Sequence, residues 1–550
     1  MKMWKRGLSL ALGLLVLLGA LAGCGGPSGS QTDSAASADP TSTAAAVAAD
    51  TAAADPNAEK LELSLAMWNI QDGFDDPNAQ NDVIYNDLCK KFNITIKPVQ
   101  VTWNDWQDKY KIWAASNQLP DLFADEINRA DYTAWANQGV IKALPDDLSK
   151  YPNIQKIMSL DSVKPWVIDG KYYKFPRMTY DTSDGWANNR NLIYRKDWAK
   201  QAGFDGAPKS FEEFMTMTKA VMAQHPDSVG VSAVSNGFLM GMFLGYFPEA
   251  ASADSVWVHE NDKWMPAYAS ERFAQGLVQF RKLYTDGVLD KDFAIQKDSD
   301  GAVKFFSGKS FAYFGDTAVA GWNNYGETFK KSNPGVKAED AIAYMDIWPA
   351  ADGNKYYFAT TPYWSSTFFR ADLDEKKFDR ALQLLDYMYS EEYGVLSNDG
   401  IEGTDYKIEN GKYVSILGEG ETIAKKYPIT SKIFVLSRWS SDSIGQTGKL
   451  VVSSDPDKAY LDQYNLDTLK EKQAARKPMP VNFDIMLMST PEKDKIASIG
   501  SACVDDMLKV ILGKDDPIKM WNDVLKSYEA KGLTKAIDEV TAEAAKQGIN

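Results

Sequence analysis

The sequence reads as an α/β protein built on a parallel sheet. Three observations carry that reading: an alternating apolar run that opens the folded body, regular succession of strand and helix signals behind it, and no repeat of fixed period. A length of 550 residues adds a soft expectation of two or more domains.

The chain begins with Lys2, Lys5 and Arg6, an apolar stretch from Leu8 to Ala22, and the small-residue end Leu21-Ala22-Gly23-Cys24. These are the parts of a secretory signal. The apolar run of about 15 residues is shorter than the roughly 20 that cross a bilayer core. Leu-Ala-Gly-Cys resembles the lipobox of bacterial lipoproteins, which implies cleavage before Cys24 and a lipid on its thiol. Several acyl chains together anchor stably where one is marginal. Residues 25 to 58 hold Gly, Ser, Ala, Thr, Asp and Pro with almost no large apolar side chain. Such a segment buries too little to offset chain entropy and reads as a disordered tether.

The folded body opens at Leu61-Glu62-Leu63-Ser64-Leu65-Ala66-Met67-Trp68, whose alternation predicts a strand. A helix is expected over 82–92, a strand over 94–99, a helix over 106–116 and a short buried strand over 119–124. Strand, helix, strand, helix, strand implies parallel pairing under covering helices. In open sheets of this kind ligands sit at the carboxyl ends of strands. That rule points to Trp68 and Asn69, to Trp103, and to Asp125 and Glu126.

A second unit follows. Asp169-Gly170 reads as a turn leading into a strand through Pro176, and Leu192–Asp197 as a strand entering a helix at Trp198. Ser210 with Glu213 makes a capping box for the next helix. Phe306-Ser307-Gly308-Lys309 ends a helix before the strand Ser310–Asp316. Residues 516–547 read as helical, with interleaved acids and bases.

The net charge is −15, and the leader carries three positive charges and no acid, so the remainder is more acidic still. That balance excludes nucleic acid as a partner. It also argues against docking on an anionic membrane face, so the lipid would have to hold the protein there. Beyond Cys24 only Cys89 and Cys503 remain, read as two separate buried thiols rather than a disulfide framework. His225 and His259, the only histidines, read as surface residues; their scarcity removes His-based triads and His-rich metal sites.

Several short motifs in fixed order resemble the extracellular solute-binding proteins of the maltose-binding type, in their lipid-anchored Gram-positive form. They are the lipobox, Ser116–Phe123, Gln138–Leu144, Asp169–Tyr173 with Pro176, Tyr194–Trp198, Phe306–Lys309 and Asn398–Tyr406. The resemblance covers roughly residues 60 to 550. It implies a two-lobe periplasmic-binding-protein-like fold (class II), with a ligand cleft between lobes and a hinge of crossing strands. Residues 59–176 and 306–349 would form the first lobe, and 177–305 and 350–550 the second. The chain crosses near 175–184, just before Phe306 and near 347–351. It also implies a monomeric, non-enzymatic receptor that hands its solute to the permease of an ABC importer, without a cofactor.

The 16 tryptophans and an aromatic content of 12% favour a carbohydrate ligand, because flat rings stack on pyranose C–H faces. Position selects the candidates. Trp68, Asn69 and Asp72 follow the first strand, Trp103 the second, Asp125 and Glu126 the third. Trp186 and Asn188 lie past the first crossing, Asp316 follows a re-entering strand, Trp364 sits in the second lobe, and Arg438 with Trp439 could close one cleft end. Trp186→Ala is expected to weaken binding with little loss of fold. Unaltered affinity across Trp68, Trp103, Trp186, Trp364 and Trp439 would reject stacking. Asp72, Asp75, Asp76, Asn78 and Asp82 match no fixed calcium loop and read as an acidic turn before a helix. A secreted carbohydrate-active hydrolase would also be acid- and Trp-rich, but the motif order is a transport receptor's, and no G-x-S-x-G is present. A binding protein for a non-sugar solute remains the other alternative.

Overall fold

A computed structural model describes residues 57–549 apart from 103–104, 128, 190, 234–235, 253–255, 297–298, 316, 419 and 439–450. Cys24, the leader, nearly all of the tether, Trp103, Asp316 and Trp439 lie outside the described residues.

In chain order the first strands are β1 (Leu61–Trp68), β2 (Ile94–Val101), β3 (Leu122–Asp125) and β4 (Phe175–Met178). β1 pairs in parallel with β2 from Leu61↔Ile94 to Trp68↔Val101, and with β3 at Leu65↔Leu122. The helices Val83–Lys91 and Trp106–Ala115 make the two crossovers, so this half of the expected order stands. Asp82 caps the first helix, its carboxylate accepting from the Tyr85 amide at 3.0 Å.

The next strands are β5 (Asn191–Arg195), β6 (Val229–Ala233), a hairpin of β7 (Trp257–Glu260) with β8 (Lys263–Pro266), β9 (Ser310–Gly315), β10 (Ile342–Tyr344), the short β11 (Tyr356–Tyr357) and β12 (Tyr363–Phe369). β5, β6, β9 and β10 form a second sheet in the order β10-β5-β9-β6. β12 returns to the first sheet, antiparallel between β3 and β4, giving the order β2-β1-β3-β12-β4.

These pairings correct the expected lobe boundaries. Residues 306–349 belong with the second sheet: β9 pairs with β5 and β6, and β10 with β5. Residues 363–436 belong with the first, because Phe368, Phe369, Phe378, Leu385 and Ile433 join the core of Leu63, Ile94 and Phe123. No crossing falls before Phe306. There Gly301 lets the helix Asp300–Phe306 lie on β6, since a Cβ would meet the Ala233 carbonyl oxygen at 1.9 Å. An apolar strand reads alike in either sheet, which is why sequence misassigned it.

The lobes therefore have separate cores, joined by segments 179–189 and 345–362. The two segments run against each other. The Thr179 amide donates to the Pro362 carbonyl at 2.8 Å, the Trp186 indole N–H to the Thr361 carbonyl at 2.9 Å, and the Tyr357 hydroxyl to Asp184 at 2.8 Å. Residues 437–438 join the same line, the Met178 amide donating to the Ser437 carbonyl at 3.0 Å.

Smaller differences have local causes. Ser210 caps Phe211–Gln224, accepting from Glu213 N at 3.1 Å, but the Glu213 carboxylate accepts from Lys209 N rather than the Ser210 amide. The C-terminal helical run is two helices, Pro517–Glu529 and Leu533–Gln547, divided at Gly532 with φ 111°. His225 is not a free surface residue: it stacks on Trp198 with centroids 3.9 Å apart. Cys503 is buried and Cys89 half-buried, and neither is in a disulfide.

Candidate functional site

The carboxyl ends of β1, β3 and β4 meet the amino end of β12, because β12 runs antiparallel to the other strands at that point. Trp68 closes β1 and Trp364 sits at the start of β12. Their rings lie 5.3 Å apart with planes inclined 36°. Trp106 meets Trp68 edge-on at 5.3 Å. Trp68 is buried, while Trp364 is half-buried and packs against both cores. An aromatic platform thus sits where the lobes meet.

Arg177 supports it. Its guanidinium is fully buried, 4.8 Å from the Trp68 ring and 5.9 Å from that of Trp364. It donates to Ser365 Oγ at 2.7 Å and to the Val435 carbonyl. Burial pushes its pKa down to about 9, countered in part by Tyr389 and Tyr110. Arg177 therefore ties β4 to β12 and to the segment 434–436 beneath the two indoles.

Asp125 ends β3, opposite Ser366. Burial pushes its carboxyl up to about 8. The Glu126 backbone amide pulls it back, while the Glu126 and Asp131 charges push the same way as burial. At neutral pH the group is largely protonated, so it can both donate to and accept from a hydroxyl. Glu126 beside it is exposed.

The other candidates divide. Asn69 takes a left-handed turn, φ 55°, and ends β1 by donating its amide to the Val101 carbonyl. Asp72 is exposed and pairs with Lys432 at 3.7 Å, apart from the platform. Trp186 and Asn188 lie on the crossing line. Trp186 is buried in the second core with its N–H committed to Thr361, edge-on to Tyr180 at 4.9 Å. Asn188 donates to the Asn465 carbonyl at 2.7 Å and to its side chain at 2.9 Å, fixing the crossing to the helix Pro456–Ala475. Arg438 pairs with Asp181 at 3.0 Å on the same line. The structure thus brings Trp68 and Trp364 into contact and puts Asp125 at the end of the neighbouring strand. It places Trp186, Asn188 and Arg438 on the segments that cross between the two cores.

Sequence reasoning missed Arg177, Lys174, Trp166, Tyr363 and Arg129. A signal existed: Lys174 and Arg177 are charges inside the otherwise apolar run Tyr172–Met178, where only a paired or functional charge belongs. Among the described residues no group of three His, Cys, Asp or Glu could hold a metal ion, and no helix is long and apolar enough to cross a membrane.

Against known proteins, residues 70–395 match the model of a family described as bacterial extracellular solute-binding protein. Lipoprotein LipO of Bacillus subtilis is 23% identical over 470 residues, 80% of this chain and 86% of that protein. The polygalacturonan/rhamnogalacturonan-binding protein YtcQ of the same organism is 22% identical over 458 residues, 80% of this chain and 83% of its own. Among solved structures, the Streptococcus pneumoniae ABC-transporter substrate-binding protein FusA in complex with kestose superposes with a TM-score of 0.66 at 18% identity. That match covers 89% of this chain and 99% of FusA.

Proposed function

We propose a transport receptor for a dissolved oligosaccharide, starting from the fact that the chain belongs to the bacterial extracellular solute-binding proteins. The observation that carries the sugar reading is the Trp68–Trp364 platform, set at strand ends beside a buried Asp125 and touching both cores. Indole faces present flat apolar area to the C–H face of a pyranose. A protonated carboxyl at the rim offers a donor and an acceptor to adjacent hydroxyls. The names of YtcQ and of the kestose complex of FusA support a carbohydrate ligand, since those related proteins bind such sugars.

The mechanism follows from the two cores. The crossing segments 179–189 and 345–362 absorb a hinge rotation, and the lobes close on the sugar held at Trp364. Closing removes water from the site and strengthens each hydrogen bond to the ligand. The closed form delivers its ligand unaltered to the membrane permease of an ABC importer, and a lipid on Cys24 keeps the receptor beside it. The name of LipO supports the anchor. The protein works as a monomer.

A thermal-shift panel of neutral and acidic oligosaccharides tests this. A ligand at 100 times its dissociation constant adds about 2.7 kcal/mol of stability and is recovered intact by chromatography. A panel in which no sugar raises the melting temperature, or in which the sugar returns shortened, overturns the reading.

A further inference from the structure

Two cations share one aromatic pocket beside the platform. Lys174, just before β4, has its ammonium 3.0 Å from the centroid of Trp166, 5.3 Å from that of Tyr132 and 5.9 Å from that of Tyr363. It is 4% exposed. It has no ion pair and no hydrogen-bond acceptor among the described residues. Arg129, at the start of the helix Arg129–Asn137, lies 5.3 Å from the same Trp166 ring and 5.8 Å from Tyr132. Its Nη1 donates to the Pro165 carbonyl at 2.8 Å, whereas its Nε is buried without an acceptor.

The pocket's own polar atoms point elsewhere. The Trp166 N–H donates to the Tyr363 hydroxyl at 3.1 Å, that hydroxyl donates to the Ser162 carbonyl, and the Tyr132 hydroxyl donates to the Trp166 carbonyl at 2.9 Å. The rings therefore offer the cations only their π faces. Burial, with the Arg129 charge added to it, pushes the Lys174 ammonium well below its usual range. Burial also lowers Arg129, opposed by Tyr132 and by Asp494 across the seam. Glu126 and Asp131 act on Asp125.

Buried charge without a counter-charge is costly, and proteins keep it where something else supplies the partner. The pocket lies at the seam between the two lobes. Its Arg129 helix touches the second-lobe helix Pro491–Lys495, and the Trp166 turn touches Phe483–Leu487. Tyr363 adjoins Trp364 of the platform in the chain. With Nη1 taken by Pro165, the Nε–Nη2 edge of Arg129 is the fork left to receive a carboxylate through two parallel bonds, and its buried Nε is reached when the lobes part at this seam.

We propose that Arg129 and Lys174 seat a carboxylate of the bound sugar, so that the ligand is an oligosaccharide containing uronic acid. The proposal rests on the receptor reading and narrows it. An arriving carboxylate offsets what burial and the Arg129 charge do to the Lys174 ammonium and so favours its charged form, and Arg129 supplies direction.

The test is calorimetric titration of the full secreted chain with trigalacturonate, trimannuronate and triguluronate, each beside its carboxyl-reduced counterpart. Wild type is expected to prefer one acid over its reduced form by tenfold or more, the size of a hydrogen bond to a charged group. Arg129→Gln and Lys174→Met are each expected to bring that ratio to about one, with Arg129→Lys in between. Lys174→Met should also melt higher than wild type without sugar, because an unpartnered buried amino group gives way to an apolar side chain of similar length. That rise separates loss of the ratio from loss of fold. Equal binding of acid and reduced forms in every pair, or a ratio unchanged in both variants, overturns the carboxylate seat and leaves the receptor standing. Failure of all six sugars, and of the neutral panel, removes the receptor reading and this inference with it.

Discussion

Trp186 and Trp364 were equal candidates by position, and their surroundings separate them. Trp186 is buried with its indole N–H bonded, so Trp186→Ala opens a cavity and strands the Thr361 carbonyl. We predict a loss of about 3–5 kcal/mol in chemical denaturation, contrary to the mild structural effect expected from sequence. Trp364→Ala removes a half-buried ring and should cost far less stability while weakening sugar binding at least tenfold by calorimetry. Similar stability losses for the two would contradict the assignment. Asp125 carries a pH prediction. An unfolded aspartate titrates near 4, and the folded one at about 8. The folded state holds the extra proton between those values, so stability falls as pH rises through that window. Asp125→Asn should therefore gain on wild type in melting temperature from pH 5 to pH 8; a difference independent of pH would contradict it. The aromatic part of the site was legible because Trp68 ends a clear strand. Arg129 was not, and Lys174 and Arg177 showed only as charges inside an apolar run, because their meaning comes from what buries them, and burial depends on the antiparallel insertion of β12.

β1, β2, β3 and the two crossover helices follow from local pattern, alternation in β1 and then two helical stretches leading to β2 and β3, whereas the short helix Ile70–Phe74 stands where an acidic turn was expected. Pairing order is a different matter. β9 is buried throughout, and nothing in an all-apolar strand names its neighbours. The lobe boundaries were misread for that reason, and the path of residues 363–436 back to the first core could be seen only in three dimensions. That return is held by particular contacts. Asp82 caps the helix Val83–Lys91 and also accepts from the Thr430 amide at 2.7 Å and its hydroxyl at 2.7 Å, across 348 positions. Asp82→Ala loses a cap worth about 1 kcal/mol and leaves two buried donors unmet at about 1–3 kcal/mol each. We predict a total of about 3 kcal/mol or more in urea, read as a lower midpoint with unchanged slope; a loss within about 0.5 kcal/mol of zero, the usual range of a plain surface substitution, would contradict the bridge.

Two cores joined by paired crossing segments divide the molecule along one line. The candidate residues sort on that geometry: the platform stands at the rim of one lobe, and Trp186, Asn188 and Arg438 hold the line itself. Family membership was legible in the order of weak motifs, each too short to carry it alone. Small-angle X-ray scattering with and without a saturating oligosaccharide tests most directly whether the lobes close on sugar at the platform. Wild type should contract on binding, and Trp364→Ala should need at least ten times more sugar for the same contraction. Sugar bound to wild type with the scattering curve unchanged would contradict it.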